Sequence, residues 1–501
     1  MDDLIIFGAS GFGKKAISYL EKNYNVLCWL DNDCTKWGKE YENYIVNNPQ
    51  EAVGFQGKIM VTSVYKVEIE KQLIALGIQP RQIYSICVRQ TDTGYQYEEY
   101  PLDEQFLEAE KKDLQEYDVL NNVERESDRI KIMLFCVFYS TYTKQLIENM
   151  ARCYHDLEFS LITSDSESGE KITSEALRHI YVFHSKPQLK NILEKIPVYS
   201  VMQLLWIEPE WCYFYRLIRQ KSRLLNLNVG GSDFYRTGKG DREYKRKLIC
   251  VADTITAETP QTVADFLDYY GKDAEGKMGL LPFGVQVLDY IDELRGVDKQ
   301  SIRKKFNLPN DKLVVTCGHN KIRFHQHLAI INAIEKLPDE VKERLICVFP
   351  MTYPDGLQEY IDEVREALEQ SGLDYLILET RMTLKEMAMY ALVSDIMIHV
   401  QKTDQLSSTM LEEMYAGSIV IAGSWLPYGH LHKKGISFWD VNNVSDITSL
   451  LEDIVKHLEI YRNKCTENSS IVYSHSSWDV LSKKWYELWR KKKTEGEENY
   501  V

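Results

Sequence analysis

No apolar stretch of this sequence is long enough to cross a bilayer: Ile130–Phe138 and the interrupted Val198–Ile207 fall short of the roughly 20 residues a spanning helix needs. The start, Met1-Asp2-Asp3-Leu4, lacks the basic segment and cleavage site of a secretory leader, and a cytoplasmic location is expected. The ten cysteines include no C-x-x-C pair and no regular spacing, which points to reduced thiols rather than disulfides or a zinc site. Cations are the minority. With 60 Lys+Arg against 75 Asp+Glu the net charge is −15, which argues against a general nucleic-acid binder. Internal repeats and low-complexity tracts are absent as well, and 44% hydrophobic and 27% charged residues exclude long disorder.

What remains is a chain of 501 residues, enough for about three domains at roughly 150 residues each. Alternating strand and helix patterns run through it, so the expected class is α/β, a Rossmann-like domain followed by two further doubly wound domains. Strand-like Leu4–Phe7, a glycine turn, a helix from Lys14 and strand-like Val26–Leu30 open a module spanning 1–90. Residues 91–128, rich in charge and tyrosine, read as a linker with a helix over Leu102–Leu120. A second unit, 129–283, has strands expected at Ile130–Phe138, Phe159–Thr163, His179–Phe183, Val201–Ile207, Leu224–Val229 and Leu248–Ala252. A third, 284–475, has them at Leu313–Cys317, Leu345–Phe349, Tyr375–Leu378, Asp395–Val400 and Ile419–Ala422, and 476–501 forms a C-terminal helix and tail.

The richest chemistry lies in Asp395–Tyr428. A buried strand ends in a loop with Asp404; Ser407, Ser408 and Thr409 then open a helix carrying Glu412 and Glu413. Helix N-termini attract phosphate through free N–H groups and the macrodipole, and hydroxyls add donors. Carboxylates beside such a site suit sugar hydroxyls, so the combination suggests a nucleotide sugar. Thr409-x-x-Glu412 is also a capping box, a purely structural alternative.

Asp404 and Glu412, followed by Gly417 and a strand, resemble the E-x7-E signature of GT-B glycosyltransferases of the group 1-like type, with Asp404 in place of the first Glu. Leu281-Pro282-Phe283-Gly284-Val285 resembles the segment that opens the donor domain of that family, and Ser301–Asp311 its following helix and turn. The resemblance implies a GT-B fold over roughly residues 129–490, and retaining transfer from a UDP-, GDP- or TDP-linked sugar to a glycan or lipid-linked acceptor in bacterial surface polysaccharide (capsule) assembly. No metal and no further cofactor is implied. It assigns Asp404 to the donor sugar, Glu412 to the ribose, and Arg381, in the turn of Leu378–Ala388, to the base. Gly318-His319-Asn320-Lys321-Ile322-Arg323 matches the family's diphosphate turn with its cations shifted, so Lys321 and Arg323 are expected to neutralise the leaving group, a solvated basic loop being the alternative. His325 and His327 lack metal-ligand spacing. On the acceptor side, Asp233 and Arg236 in Asn228–Arg236 are candidates for acceptor contact, with Asp233 as general base if the reaction inverts, or as a turn former.

Gly8-x-x-Gly11-x-Gly13 after a strand, with Asp31 ending the next, has the context of a dinucleotide or nucleotide-sugar site. It resembles the domain that precedes bacterial sugar N-acetyltransferases, without their hexapeptide repeats. Asp31-Asn32-Asp33 also spells a metal-binding D-x-D, though its place on the second strand favours a ribose contact or a turn. The C-terminal helix, Val480–Lys493, carries Leu481, Trp485, Leu488 and Trp489 on one face and ends in basic residues; it is expected to pack back across the two domains, and peripheral contact with an anionic membrane is compatible with that. Two other functions remain in view: an NAD(P)-dependent nucleotide-sugar oxidoreductase or epimerase, and a non-catalytic nucleotide-sugar-binding protein.

Overall fold

The computed structural model describes residues 2–63, 66–91, 94–102, 129–136, 141–164, 174–183, 186–354 and 357–490. Three sheets follow one another along the chain. The first contains β1 (Asp3–Phe7), β2 (Asn25–Leu30), β3 (Glu40–Tyr41), β4 (Tyr44–Asn47), β5 (Lys58–Val61), β6 (Ile83–Thr91) and β7 (Gly94–Pro101), in the order β3-β4-β2-β1-β5-β6-β7. The first sheet therefore runs past residue 90: β7 pairs antiparallel with β6 along its whole length, where the composition predicts a linker. Tyrosine favours strands, and Tyr97 of β7 stacks on Tyr19 with ring centres 4.5 Å apart. Residues 103–120 of the expected linker helix lie outside the described residues.

The second sheet contains β8 (Ile130–Cys136), β9 (Leu157–Thr163), β10 (Leu177–Val182), β11 (Tyr199–Leu205), β12 (Ser222–Asn228), β13 (Thr254–Ala257) and β14 (Met278–Leu280), ordered β10-β9-β8-β11-β12-β13-β14. The third contains β15 (Leu313–Cys317), β16 (Leu345–Pro350), β17 (Tyr375–Leu378), β18 (Ile396–His399), β19 (Ile419–Gly423) and β20 (Trp439–Val441), ordered β17-β16-β15-β18-β19-β20. Their strands pair in parallel and the central ones are buried on both faces, hence runs such as Leu345–Pro350 with no polar alternation. The strand expected at Leu248–Ala252 is the end of a helix, Lys239–Val251, and the strand itself is β13. An apolar run of four or five residues does not distinguish a buried helix turn from a strand.

The second and third sheets each carry packed clusters on both faces, and the border between them falls in the Leu281–Val285 segment: Phe283 packs with the second sheet's core and Val285 with the third's. The C-terminal helix, Trp478–Arg490, returns across this border. Its aromatic face is internal, with the Trp485 indole donating to Pro282 O at 3.1 Å and Trp489 to Gln203 Oε1 at 3.1 Å. That face is not available to a membrane. Gly284 is required where it stands, since a Cβ there would lie 2.3 Å from the Trp478 ring. The first module docks on the second domain through helix Lys66–Ala75, whose buried Glu70 meets Lys186 at 3.5 Å and accepts from Tyr213.

Candidate functional site

The second and third sheets turn their carboxyl ends toward a shared cleft, the place where open parallel sheets bind ligands. In the third sheet, β15 ends in Gly318, whose φ of +69° and lack of space (a Cβ would sit 2.8 Å from His327 Nε2) both call for glycine. His319 follows, its ring 5.5 Å from that of His399 and 4.2 Å from that of His325. Burial and its imidazole neighbour His399 pull His319 down to about 3; burial alone pulls His327 down to about 4 and, with His319, holds His325 well below its usual range. Neutral rings thus floor the turn. Among the described residues, no group of three His, Cys, Asp or Glu is placed to hold a metal ion.

Lys321 is only 8% exposed, its backbone N–H donates to Tyr353 O at 2.9 Å, and its ammonium makes no hydrogen bond or ion pair among the described residues. Arg323 differs. It pairs with Glu363 at 2.5 Å and lies over the Tyr360 ring, so the second expected phosphate ligand is turned to the surface. Arg381 is exposed in the loop after β17, close enough to Tyr353 for its charge to bear on that hydroxyl.

Beyond β18 the loop delivers Asp404, which accepts from Tyr428 and lies 3.4 Å from His399 Nε2. Burial opposes its ionised form, but these two partners outweigh it and hold the carboxyl below its usual range. Ser407 caps the helix Ser408–Ala416 by accepting from Met410 N at 3.2 Å. The capping box expected from Thr409 to Glu412 is therefore displaced: Ser407 is the cap and Thr409 a half-buried residue of the first turn. Ser408 Oγ meets Tyr142 Oη of the second domain at 2.7 Å. Glu412 is 4% exposed; burial and the adjacent Glu413 push it up to about 8.

On the facing side, the loop after β12 does reach the cleft, but its two candidates serve the frame. Asp233 is buried and accepts from Ile207 N at 2.7 Å, burial raising its carboxyl despite nearby Lys245. Its Oδ2 thus holds a turn, while its Oδ1 is buried without a hydrogen bond among the described residues. Arg236 donates to Thr403 Oγ1 at 3.0 Å and Thr403 O at 2.8 Å, clasping the two domains. Next to it, Gln405 donates to Val229 O at 2.9 Å, and Gly231 (φ +89°) leaves the room for Gln405 to approach. Sequence reasoning misses Glu258, at the carboxyl end of β13, which burial and the Asp404 charge push up to about 8. Its position at a strand end is the available signal, hidden when the strand is placed at Leu248–Ala252.

In the first module, Gly8 (φ +112°) makes the turn and Gly13 lets the helix lie on the sheet, a Cβ there falling 2.6 Å from Gly8 O and 2.7 Å from the Trp29 ring. Gly11 faces open space. Asp31 accepts from Ala9 N at 3.0 Å and Asp33 N at 2.8 Å and pairs with Lys36 at 3.0 Å, while Asp33 caps the turn at Thr35. Both acids of the D-x-D are engaged in local turns.

Comparison with known proteins gives two kinds of match. A family model described as "C2185-like, N-terminal" matches residues 1–84. No curated protein matches the sequence significantly. Among solved structures, a glycosyltransferase from Rickettsia africae is 14% identical with a TM-score of 0.59, covering 72% of this chain and 98% of that one. A sucrose-phosphate synthase from Thermosynechococcus elongatus is 15% identical, with a TM-score of 0.60 and the same coverage. Anabaena HepE, solved in complex with UDP and glucose, is 11% identical with a TM-score of 0.58, over 72% and 99% of the two chains. The second and third sheets, facing each other across the cleft, thus form the GT-B fold of glycosyltransferases.

Proposed function

We propose that this protein transfers a glycosyl group from a nucleoside diphosphate sugar to a hydroxyl-bearing acceptor, with the donor lying across the ends of β15, β16 and β18. One observation carries the reading: Lys321, a residue only 8% exposed whose ammonium has no hydrogen bond or ion pair among the described residues, in a chain of net charge −15. A buried cation is stable only when something anionic completes it. A diphosphate does so. Ser408, Thr409 and the first N–H groups of helix Ser408–Ala416 supply further donors. Glu412, held neutral near pH 7, both donates to and accepts from ribose hydroxyls, and Asp404 binds the donor sugar. Arg381 and Tyr353 flank the base.

In the reaction the acceptor oxygen bonds to the anomeric carbon while that carbon's bond to the diphosphate oxygen breaks. The electron pair leaves with the diphosphate, stabilised by Lys321, and under retention the acceptor's proton passes to the departing oxygen. We extend the proposal to a glycan or lipid-linked acceptor in surface polysaccharide assembly. The test is calorimetric titration of the full chain with UDP, GDP, TDP, NADH and NADPH. One nucleoside diphosphate binds, and Glu412→Ala weakens it at least about tenfold with the melting temperature retained. Unchanged affinity in that variant removes the assignment, and binding of a nicotinamide cofactor alone returns the oxidoreductase reading.

A further inference from the structure

Beyond Asp404 the cleft widens into a cavity of about 500 Å³, between the helix Ser232–Tyr235 and the loop and helix that follow β13 on one side and the segments that follow β18 and β19 on the other. Its second-domain wall includes Tyr235 and Asp265; its third-domain wall includes Lys402, Trp425 and Lys433. Three features give it a chemical character. Trp425 is 39% exposed although its indole N–H is fixed to Gln401 O at 2.7 Å, so the ring is an anchored, solvent-facing platform of the kind that packs against the C–H face of a sugar. The wall carboxylate is already used: Asp265 accepts from Tyr235 Oη and Gln261 Nε2, both at 2.7 Å. The cations are not. Lys402 and Lys433 are exposed, and their ammonium groups make no hydrogen bond or ion pair among the described residues. At the floor, Asp404 uses Oδ2 for Tyr428 and His399 and leaves Oδ1 without a hydrogen bond among the described residues.

We propose that this cavity is the acceptor subsite and takes a saccharide bearing an anionic group, a carboxylate or a phosphate. The ring lies on Trp425, the anion between Lys402 and Lys433, and the hydroxyl to be glycosylated beside Asp404 Oδ1. The assignment rests on the donor reading above, because Asp404 stands between the donor's sugar and this space. A neutral acceptor leaves both ammonium groups to solvent. An anionic one completes them.

The test uses the full chain, saturated with whichever of UDP, GDP or TDP binds, titrated with glucuronate, glucose 6-phosphate and glucose by ligand-detected NMR. At least one anion binds about tenfold more tightly than glucose, as charge-assisted hydrogen bonds to two lysines require. Preference for glucuronate identifies a carboxylate acceptor, and preference for glucose 6-phosphate a phosphorylated one. The double variant Lys402→Ala, Lys433→Ala loses that preference without a change in melting temperature. Trp425→Ala weakens all three sugars together. Equal affinity for glucose, no binding of either anion, or a preference that survives in the double variant overturns the inference. Failure of every nucleoside diphosphate to bind is a different result and overturns the donor reading itself.

Discussion

The chain contains two glycine turns built alike, and they end in opposite electrostatic states. Gly8 and Gly318 each follow a parallel strand, each has positive φ, and each leads toward a helix beside the point where strand order reverses. At the first, every charge is answered from within: Lys36 donates to Ala9 O and to Asp31, both at 3.0 Å, and Asp31 holds the backbone of Ala9. At the second, Lys321 is unanswered among the described residues, and buried His319 Nδ1 has no partner. Glycine makes a turn possible. An unpaired cation beside it is what marks a ligand here, since a buried neutral donor without a partner, Trp29 Nε1, occurs at the first turn as well.

The sharpest way to break this contrast is to delete one lysine from each turn. Lys321→Ala is expected to weaken the nucleoside diphosphate about 100-fold, a loss of roughly 2–3 kcal/mol for a charge-assisted contact at low exposure. Lys36→Ala, titrated in the same way, leaves that affinity unchanged. The reverse pattern moves the nucleotide to the first module. A smaller effect separates the glycines themselves. Gly13→Ala drives a methyl into Gly8 O and the Trp29 ring and costs about 1–3 kcal/mol of the module's stability in urea unfolding. Gly11→Ala meets nothing within 4 Å and changes stability by a few tenths of a kcal/mol. If both substitutions prove equally harmful, Gly13 is not a packing glycine and the module's fingerprint needs another reading.

How far the sequence reveals this site depends on the distance over which each residue is satisfied. The placement of Asp404 and Glu412 on one loop and the helix after it is legible because it is local, with seven residues between them. The glycine turns and parallel strands are legible for the same reason. Arg323 is not, because Glu363, which captures it, comes from the helix Gln358–Ser371. The partners of Asp233 and Arg236, Ile207 N and Thr403, are not legible either, since they are set by tertiary contact across the chain. Tyr142, Tyr428 and Glu258 escape the sequence because nothing within a few residues of them announces a ligand. Periodicity predicts elements; only the partners each side chain meets in the fold separate a structural charge from an available one.

Titration separates the same classes of group with a smaller effect. Glu258, Glu412 and Glu413 are pushed from 4.5 up to about 8 by burial, and the folded state therefore holds protons that the unfolded chain releases. Their contribution to stability falls as pH rises from 4.5 to 8. The buried histidines act in the opposite sense: His319 and His327, pulled from 6.5 to about 3 and 4, make folding less favourable as pH falls below 6.5. Between 4.5 and 6.5 the two sets oppose each other, and above 6.5 only the glutamates still titrate differently. With three glutamates against these two histidines, their contribution to the melting temperature falls gently between pH 4.5 and 6.5 and more steeply from 6.5 to 8, each glutamate adding a slope of about 1.4 kcal/mol per pH unit at most. Glu413 accepts from Ser418 Oγ at 2.6 Å, a bond that an amide oxygen can also accept. Glu413→Gln thus flattens the alkaline fall without disturbing Lys321 or nucleotide affinity. Melting curves at pH 5.5 and 8 measure it, and an alkaline fall of undiminished size in the variant assigns the buried protons to other groups.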